Sequence, residues 1–411
     1  MNDHSANPPG AGLDRRRFLA AAGLTAAAAA LAVTEGRAGA AARPAAAGAF
    51  RVPIEDVRHT RTWMAWPDST SIWGNTLSGV QSDIALIART IAKYEPVYIC
   101  ANSGSAAKAR SLCGSTVTVV TTIPVDDCWM RDSGPVFRTD GAGGLDAVGL
   151  NFNGWGRKQA HSKDALVAGR VAAYLGVPFT AAGLVGEGGA VEQDGAGTLM
   201  ATRSSLVNRN RNPNMSQSQI EAALRTAYGA SKVIWFDGVV GQDITDDHVD
   251  ATSRFLAPGK ALVQMPLASD NDVYAKDARQ QYQILSGATT ADGARMTVEK
   301  LQGPDYYKIR STNPDFLASY ANYYVCNGAV ISGQFGDTQA DAAARATLTR
   351  LFPGRVVERL NIDRLGAGGG GIHCVTQQQP VPYFAEDGAI ALRASLDESI
   401  TDIGRTASLF S

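Results

Sequence analysis

The sequence predicts an α/β fold in which five pseudo-equivalent units close into one ring. Three observations carry that expectation: a strand-turn-strand unit recurs along the chain, a helix and a short apolar strand follow it, and the chain begins with a helix and strand lacking their hairpin. The Gly-containing turns lie at Asp140-Gly141, Asp194-Gly195, Pro258-Gly259, Asn327-Gly328 and Asp387-Gly388, so successive glycines are 54, 64, 69 and 60 residues apart. Asp-Gly and Asn-Gly pairs suit tight hairpins, whose turns need positive φ. Helical patterning covers residues 162–174, 216–228, 273–285 and 337–351, and Lys232-Val233-Ile234-Trp235-Phe236 exemplifies the strands that follow. Five hairpins are thus left with four following helices. The missing pair is read at the front, a helix over 80–94 and a strand over 96–100, so that the first and last segments complete one unit. Such units cannot bury their own faces, and a closed ring leaves no sheet edge exposed.

The ends set the domain organisation. Residues 1–40 read as a signal peptide: Asp14-Arg15-Arg16-Arg17-Phe18-Leu19, an Ala-rich run to Val33, then Ala38-Gly39-Ala40. Paired arginines before Phe-Leu and a mild apolar run fit a twin-arginine signal, so export through that machinery to the periplasm, cell envelope or exterior is expected. The run is too weakly apolar for a membrane span, so no stable anchor is expected after cleavage. Residues 41–50 read as a flexible leader and residues 51–411 as one catalytic domain. Without residues 1–40, 34 Lys/Arg face 36 Asp/Glu, a balance that gives no footprint for nucleic acid. A hydrophobic content of 45% with 19% charge describes a globular chain with a large core.

Five cysteines, Cys100, Cys113, Cys128, Cys326 and Cys374, include no CxxC pair, which argues against a disulfide framework or a zinc site. Cys100 and Cys326 sit in apolar runs and read as core, as does Cys128 by default. Outside the signal the histidines are His59, His161, His248 and His373. His248 (in Asp246-Asp247-His248-Val249-Asp250), Asp132, Glu187 and Cys374 precede their turn glycines by eleven, nine, eight and fourteen residues. In a closed ring that shared phase maps to one pole of the axis.

A thiol, an imidazole and several carboxylates meet the needs of guanidine hydrolysis. Carboxylates hold a planar guanidinium through paired charge-assisted bonds, a role for Asp132 and Asp250. Cys374 would attack the central carbon to give a thiouronium, His248 would protonate the departing ammonia and then activate water, and Glu187 would orient the imidazole. The four glycines at 368–371 would let the backbone take positive φ and approach a ligand, or serve only as a loose linker. His373 adjoins the thiol, but neighbours on an extended chain face opposite ways, so it reads as packed or supporting. Asp246 and Asp247 read as loop charges or supports of His248.

The motifs Trp66-Pro67, Trp129-Met130-Arg131-Asp132-Ser133-Gly134-Pro135, Asn153-Gly154-Trp155-Gly156, Glu187-Gly188-Gly189, Asn208-Arg209-Asn210-Arg211-Asn212-Pro213, His248-Val249-Asp250 and Ile372-His373-Cys374-Val375-Thr376-Gln377-Gln378 occur in this order. By these the chain, from about residue 63 onward, resembles the agmatine deiminase family of the pentein superfamily, which includes peptidylarginine deiminases of the Porphyromonas type. The resemblance implies a five-bladed α/β propeller, no cofactor, Cys374 as nucleophile, His248 as acid/base, Glu187 as its support and Asp132 with Asp250 as guanidinium ligands; Trp129 and Trp155 are assigned with them to substrate binding. Ala190-Val191-Glu192 departs from the Ser-Ile-His usual in the agmatine branch. The implied activity is hydrolysis of agmatine to N-carbamoylputrescine and ammonia. Deimination of peptidyl or free arginine is the alternative, with Arg157, Lys158 and Arg209 as candidate carboxylate donors. A guanidine-binding scaffold without turnover is the reading from another class.

Overall fold

The computed structural model describes residues 49–382. Five small sheets make up the strand content of those residues, and the architecture is the five-bladed α/β propeller expected. Four blades share one plan: an antiparallel hairpin, a helix, and a third strand returning parallel to the second. Their strands are Val136–Thr139, Leu145–Gly149 and Phe179–Ala181; Val191–Gln193, Thr198–Thr202 and Lys232–Phe236; Ser253–Ala257, Lys260–Met265 and Thr297–Gln302; Tyr324–Cys326, Ala329–Gly333 and Val356–Leu360. The helices are Val167–Leu175, Gln217–Tyr228, Val273–Gly287 and Thr338–Leu351. Local chemistry fixes their starts. Ser216 forms a reciprocal capping box with Gln219, and Asp272 and Asp337 each accept from a first-turn amide. The helix expected from residue 162 starts later, because buried Asp164 accepts the amides of Asp126 and Asp127 and a 3-10 turn comes first.

The fifth blade joins the two ends of the described chain. Gln377–Pro380 pairs antiparallel with His59–Ala65, which pairs parallel with Val97–Cys100 after the helix Leu77–Ile91. A further helix, Ala106–Cys113, and strand, Val117–Val120, extend this sheet. The hairpin of this blade is therefore assembled from separate stretches of sequence; the turn expected at Asp387-Gly388, like the signal peptide over 1–40 and most of the leader, lies outside the described residues. Helix Leu77–Ile91 buries Val80, Ile84, Ile87 and Ile91 in a cluster that also holds Ile331 and Leu360 of the neighbouring blade, so apolar faces are covered blade by blade around the ring. Among the described residues no helix is long and apolar enough to cross a membrane.

Candidate active site

The residues singled out by sequence are better aligned by the strands than by the turn glycines. Asp132, Glu187, His248 with Asp250, and Cys374 each lie just ahead of the first strand of a blade, the strands starting at Val136, Val191, Ser253 and Gln377. Measured from turn glycines, Cys374 looked the odd one out, because its blade has no contiguous hairpin. The remaining blade starts at Tyr324 and supplies Asn322, which sequence reasoning missed. Its amide nitrogen lies 3.3 Å from the Cys374 sulfur and its side-chain oxygen accepts from the His373 amide at 3.0 Å. The blade alignment was the signal that could have found it.

Three of the charged groups converge on one point. A methyl group built on Gly189 would come within 2.7 Å of His248 Nδ1, 2.9 Å of Asp132 Oδ1 and 3.1 Å of Asp250 Oδ2. Cys374, Asp132, His248, Asp250, Trp129 and Trp155 all line one cavity of about 1580 Å³. Glu187 lies behind the imidazole, fully buried, with its Oε2 3.5 Å from His248 Nε2. That is an ion-pair contact rather than an aligned hydrogen bond. Arg211, for which sequence analysis proposed no role although its neighbour Arg209 was singled out, donates from Nε to Glu187 Oε1 at 2.9 Å and also binds Asp246. It thereby ties Glu187 to the loop that presents His248. Asp246 and Asp247 are buried and both take positive φ, 59° and 71°, so they are structural supports of His248 and not solvated charges.

The carboxylates are oriented individually. Asp132 accepts from Trp155 Nε1 at 2.9 Å and from the Gly189 amide at 3.0 Å. Trp155 therefore both lines the cavity and aims Asp132, from a backbone at φ 54°. Asp250 Oδ2 lies 2.6 Å from His373 Nδ1, while Oδ1 has no protein partner. The glycines before Cys374 correct the expectation drawn from their flexibility, since Gly369 alone among them has positive φ. The others provide room: added methyl groups would meet Trp73 at Gly368, Trp129 at Gly370 and Asn322 at Gly371.

Burial acts against every charge here, and the neighbours decide the outcome. For His248, burial alone would lower the imidazole pKa, but Asp132, Glu187 and Asp250 overcome it and raise it to about 9. For Glu187 and Asp250 burial pulls upward, yet His248 with Arg211 in one case, and His373 with His248 in the other, hold the carboxyls below their usual range. Asp132 goes up, through burial and the nearby Asp250 and Glu187 charges. The Cys374 thiol is pushed well above its ordinary value by desolvation and by the charges of Asp250 and Asp132. The resting site is thus a thiol and an imidazolium lining one cavity, in surroundings that await a cation.

The remaining expectations fall as follows. Cys100, Cys128 and Cys326 are buried core thiols and do not line the cavity. His59 is buried and bonds Glu95 and the Glu55 carbonyl, a structural role. Arg157, Lys158 and Arg209 are not on the cavity wall, and Lys158 is engaged by Asp246 at 2.7 Å. Glu192, at the position of the departure noted above, points into the buried layer beneath the site and binds Arg254 Nε at 2.7 Å. Among the described residues no cluster of His, Cys, Asp and Glu has the arrangement of a metal site.

Comparison with known proteins places this geometry. A Streptomyces coelicolor relative is 39% identical over 343 residues, spanning 80% of this chain and 99% of its own. Agmatine deiminase of Pseudomonas aeruginosa is 34% identical over 366 residues, covering 82% of this chain and 98% of that one. Among solved structures, an agmatine deiminase of Enterococcus faecalis superposes with a TM-score of 0.76 at 28% identity, over 81% of this chain and 96% of that chain. Residues 51–380 match the family model of the Porphyromonas-type peptidyl-arginine deiminases, so the chain belongs to that family of hydrolases acting on guanidino C–N bonds.

Proposed function

We propose that this enzyme hydrolyses agmatine to N-carbamoylputrescine and ammonia. The observation that carries the reading is the charge of the cavity wall beyond the guanidine end. Asp243, Asp270, Asp272, Asp315 and Asp363 line it, against Lys276 and Arg364; Asp363 is paired with Arg310 and Arg364 with Asp83, which leaves four aspartates facing one lysine. An ammonium tail is attracted there, whereas the carboxylate of free arginine meets like charge. The similarity to the agmatine deiminases of P. aeruginosa and E. faecalis supports the same substrate.

In this reading Asp132 and Asp250 take the guanidinium edge to edge. The arriving cation offsets the two carboxylate charges that hold the thiol protonated, and Cys374 releases its proton to solvent. The thiolate then forms a C–S bond to the central carbon. His248 delivers its proton to the nitrogen that leaves, the C–N bond breaks, and ammonia departs from a thiouronium. His248, now neutral, takes a proton from water; hydroxide adds to the same carbon and expels the Cys374 thiolate. Loss of the oxygen-bound proton leaves the ureido product. Asn322, with its amide nitrogen towards sulfur, stabilises the anion at both its appearances.

With agmatine, free arginine and an arginyl peptide supplied in turn, ammonia and ureido product are expected with kcat/KM for agmatine at least about a hundredfold above that for free arginine, the size of discrimination that an unpaired, repelled group imposes. Equal turnover of arginine would overturn the assignment, and inertness toward every guanidine would favour the scaffold reading. An arginyl peptide is the second reading, favoured by the cavity volume of about 1580 Å³, which exceeds what a small guanidine fills.

The enzyme is also proposed to be exported, on the strength of Arg15-Arg16-Arg17-Phe18-Leu19 and the Ala-rich run after it. Replacing Arg15 and Arg16 together by lysine is expected to retain the full-length precursor in the cytoplasm of the host, whereas the parent is processed and leaves it, as fractionation and N-terminal sequencing would record. Equal export of both forms would count against the twin-arginine route.

A further inference from the structure

Beneath the cavity floor lies a buried charged layer that the reaction as described does not use. Glu55, four residues ahead of the strand His59–Ala65, is its hub. One oxygen, Oε2, lies 2.7 Å from His373 Nε2 and 3.0 Å from Arg254 Nη2; the other accepts the Val325 amide at 2.8 Å. The opposite nitrogen of the His373 ring lies 2.6 Å from Asp250 Oδ2. Glu55, His373 and Asp250 are all nine-tenths or more buried, at 7%, 1% and 1% exposure. The His373 backbone is held as well, its amide donating to Asn322 Oδ1.

We propose that Glu55 and His373 are positioning residues for the substrate guanidinium: Glu55 anchors His373 through Nε2, His373 occupies Oδ2 of Asp250 through Nδ1, and the bare Oδ1 of Asp250 is thereby fixed as the edge that takes the substrate. Both flanking carboxyls are held below their usual range, Glu55 well below, where Arg254, His373 and Arg131 outweigh the burial that pulls it upward. An ionised Asp250 carboxylate has no proton to give, so the ring nitrogen Nδ1 is the donor in that contact. Without this clamp Asp250 could turn about its Cβ–Cγ bond, and the Oδ1 that now lacks any protein partner would find one. The arrangement parallels Arg211 and Glu187 behind His248: each reactive group has a buried partner on its far side.

This inference rests on Asp250 as a guanidinium ligand, and isosteres of His373 test it. Asparagine places its amide near the Nδ1 position and can still donate to Asp250; glutamine reaches the Nε2 position and can donate only toward Glu55. With His373→Gln, KM is expected to rise by about tenfold or more with a smaller fall in kcat, as loss of a hydrogen bond to a charged group implies. Loss of that donor also makes the Asp250 carboxyl easier to protonate, so the acid limb of the kcat/KM profile is expected to move to higher pH. His373→Asn is expected to recover most of the loss. Glu55→Gln should move KM and the acid limb in the same direction by less.

Kinetics are to be read with whichever guanidine the wild type turns over, so an error in the agmatine assignment does not erase the test. Circular dichroism and thermal unfolding separate misfolding from mispositioning, because a purely structural role lowers Tm without moving the acid limb. An unchanged KM and pH profile in a folded His373→Gln, or equal losses in His373→Gln and His373→Asn, would overturn the proposal.

Discussion

Cys374→Ala is expected to reduce turnover by about 10⁴-fold or more while leaving the guanidine site able to bind, since the loss of a covalent nucleophile removes a whole pathway and not one contact. The geometry makes the binding half of this expectation specific. Asp132 is held by Trp155 and the Gly189 amide, and Asp250 by His373; none of these contacts passes through the sulfur. Removing the thiol therefore leaves both carboxylates aimed. Calorimetric titration of the variant with agmatine should give a dissociation constant near the wild-type KM, and ammonia release should be lost. Substantial ammonia release by Cys374→Ala would exclude the thiouronium and require direct attack of water. The same variant tests the electrostatics. With the thiol gone, the His248 imidazole, raised to about 9 by its carboxylate neighbours, should titrate in that range when followed by NMR, and saturation with a cationic guanidine should lower it.

How much of this was legible in sequence depended on whether the information was local. Turn glycines, helical patterning and apolar runs are local signals; from them come four contiguous blades and the expectation that the chain ends complete a fifth. Asp132, Glu187, His248, Asp250 and Cys374 carry titratable or nucleophilic side chains at a similar phase of the repeat, and the structure gathers the four other than Glu187 on one cavity wall, with Glu187 directly behind His248. Glu55 was not legible, and Asn322 only through its place just ahead of the strand that starts at Tyr324. Asn322 lies in Ser319-Tyr320-Ala321-Asn322-Tyr323, which has neither a glycine run nor a charge to mark it, and Glu55 lies in Pro53-Ile54-Glu55-Asp56, ahead of the first repeated unit and outside every motif. Their meaning comes from contacts to residues 52 and 318 positions away. The glycine run was visible, but its purpose was not. A run of glycines reads as flexibility, whereas at Gly370 and Gly371 it is the absence of a side chain against Trp129 and Asn322 that counts.

Gly189→Ala carries that distinction into the reacting centre, and its expected result is a fall in kcat/KM of about 10² to 10³, the scale associated with misplacing reacting groups by around an ångström. Gly189 has no need of positive φ, so alanine costs little in backbone conformation; the cost is space. The added methyl would lie 2.7 Å from His248 Nδ1, 2.9 Å from Asp132 Oδ1 and 3.1 Å from Asp250 Oδ2, and none of the three can withdraw freely. Asp132 is pinned by Trp155, Asp250 by His373, and His248 sits on a loop whose Asp246 is locked to Arg211 and Lys158. The groups must therefore shift from the positions in which they are aimed at the guanidinium. Overpacking of this kind costs about 1–3 kcal/mol of stability, so the variant should still fold. Gly188→Ala provides the contrast: its methyl would run into the Arg131 carbonyl oxygen, a backbone atom, so it should register first as a loss of Tm. Measured together, a folded and inactive Gly189→Ala beside a destabilised Gly188→Ala would establish that the second glycine is kept for the chemistry and the first for the fold. Near wild-type kcat/KM in Gly189→Ala would mean that His248, Asp132 and Asp250 do not act from the positions described.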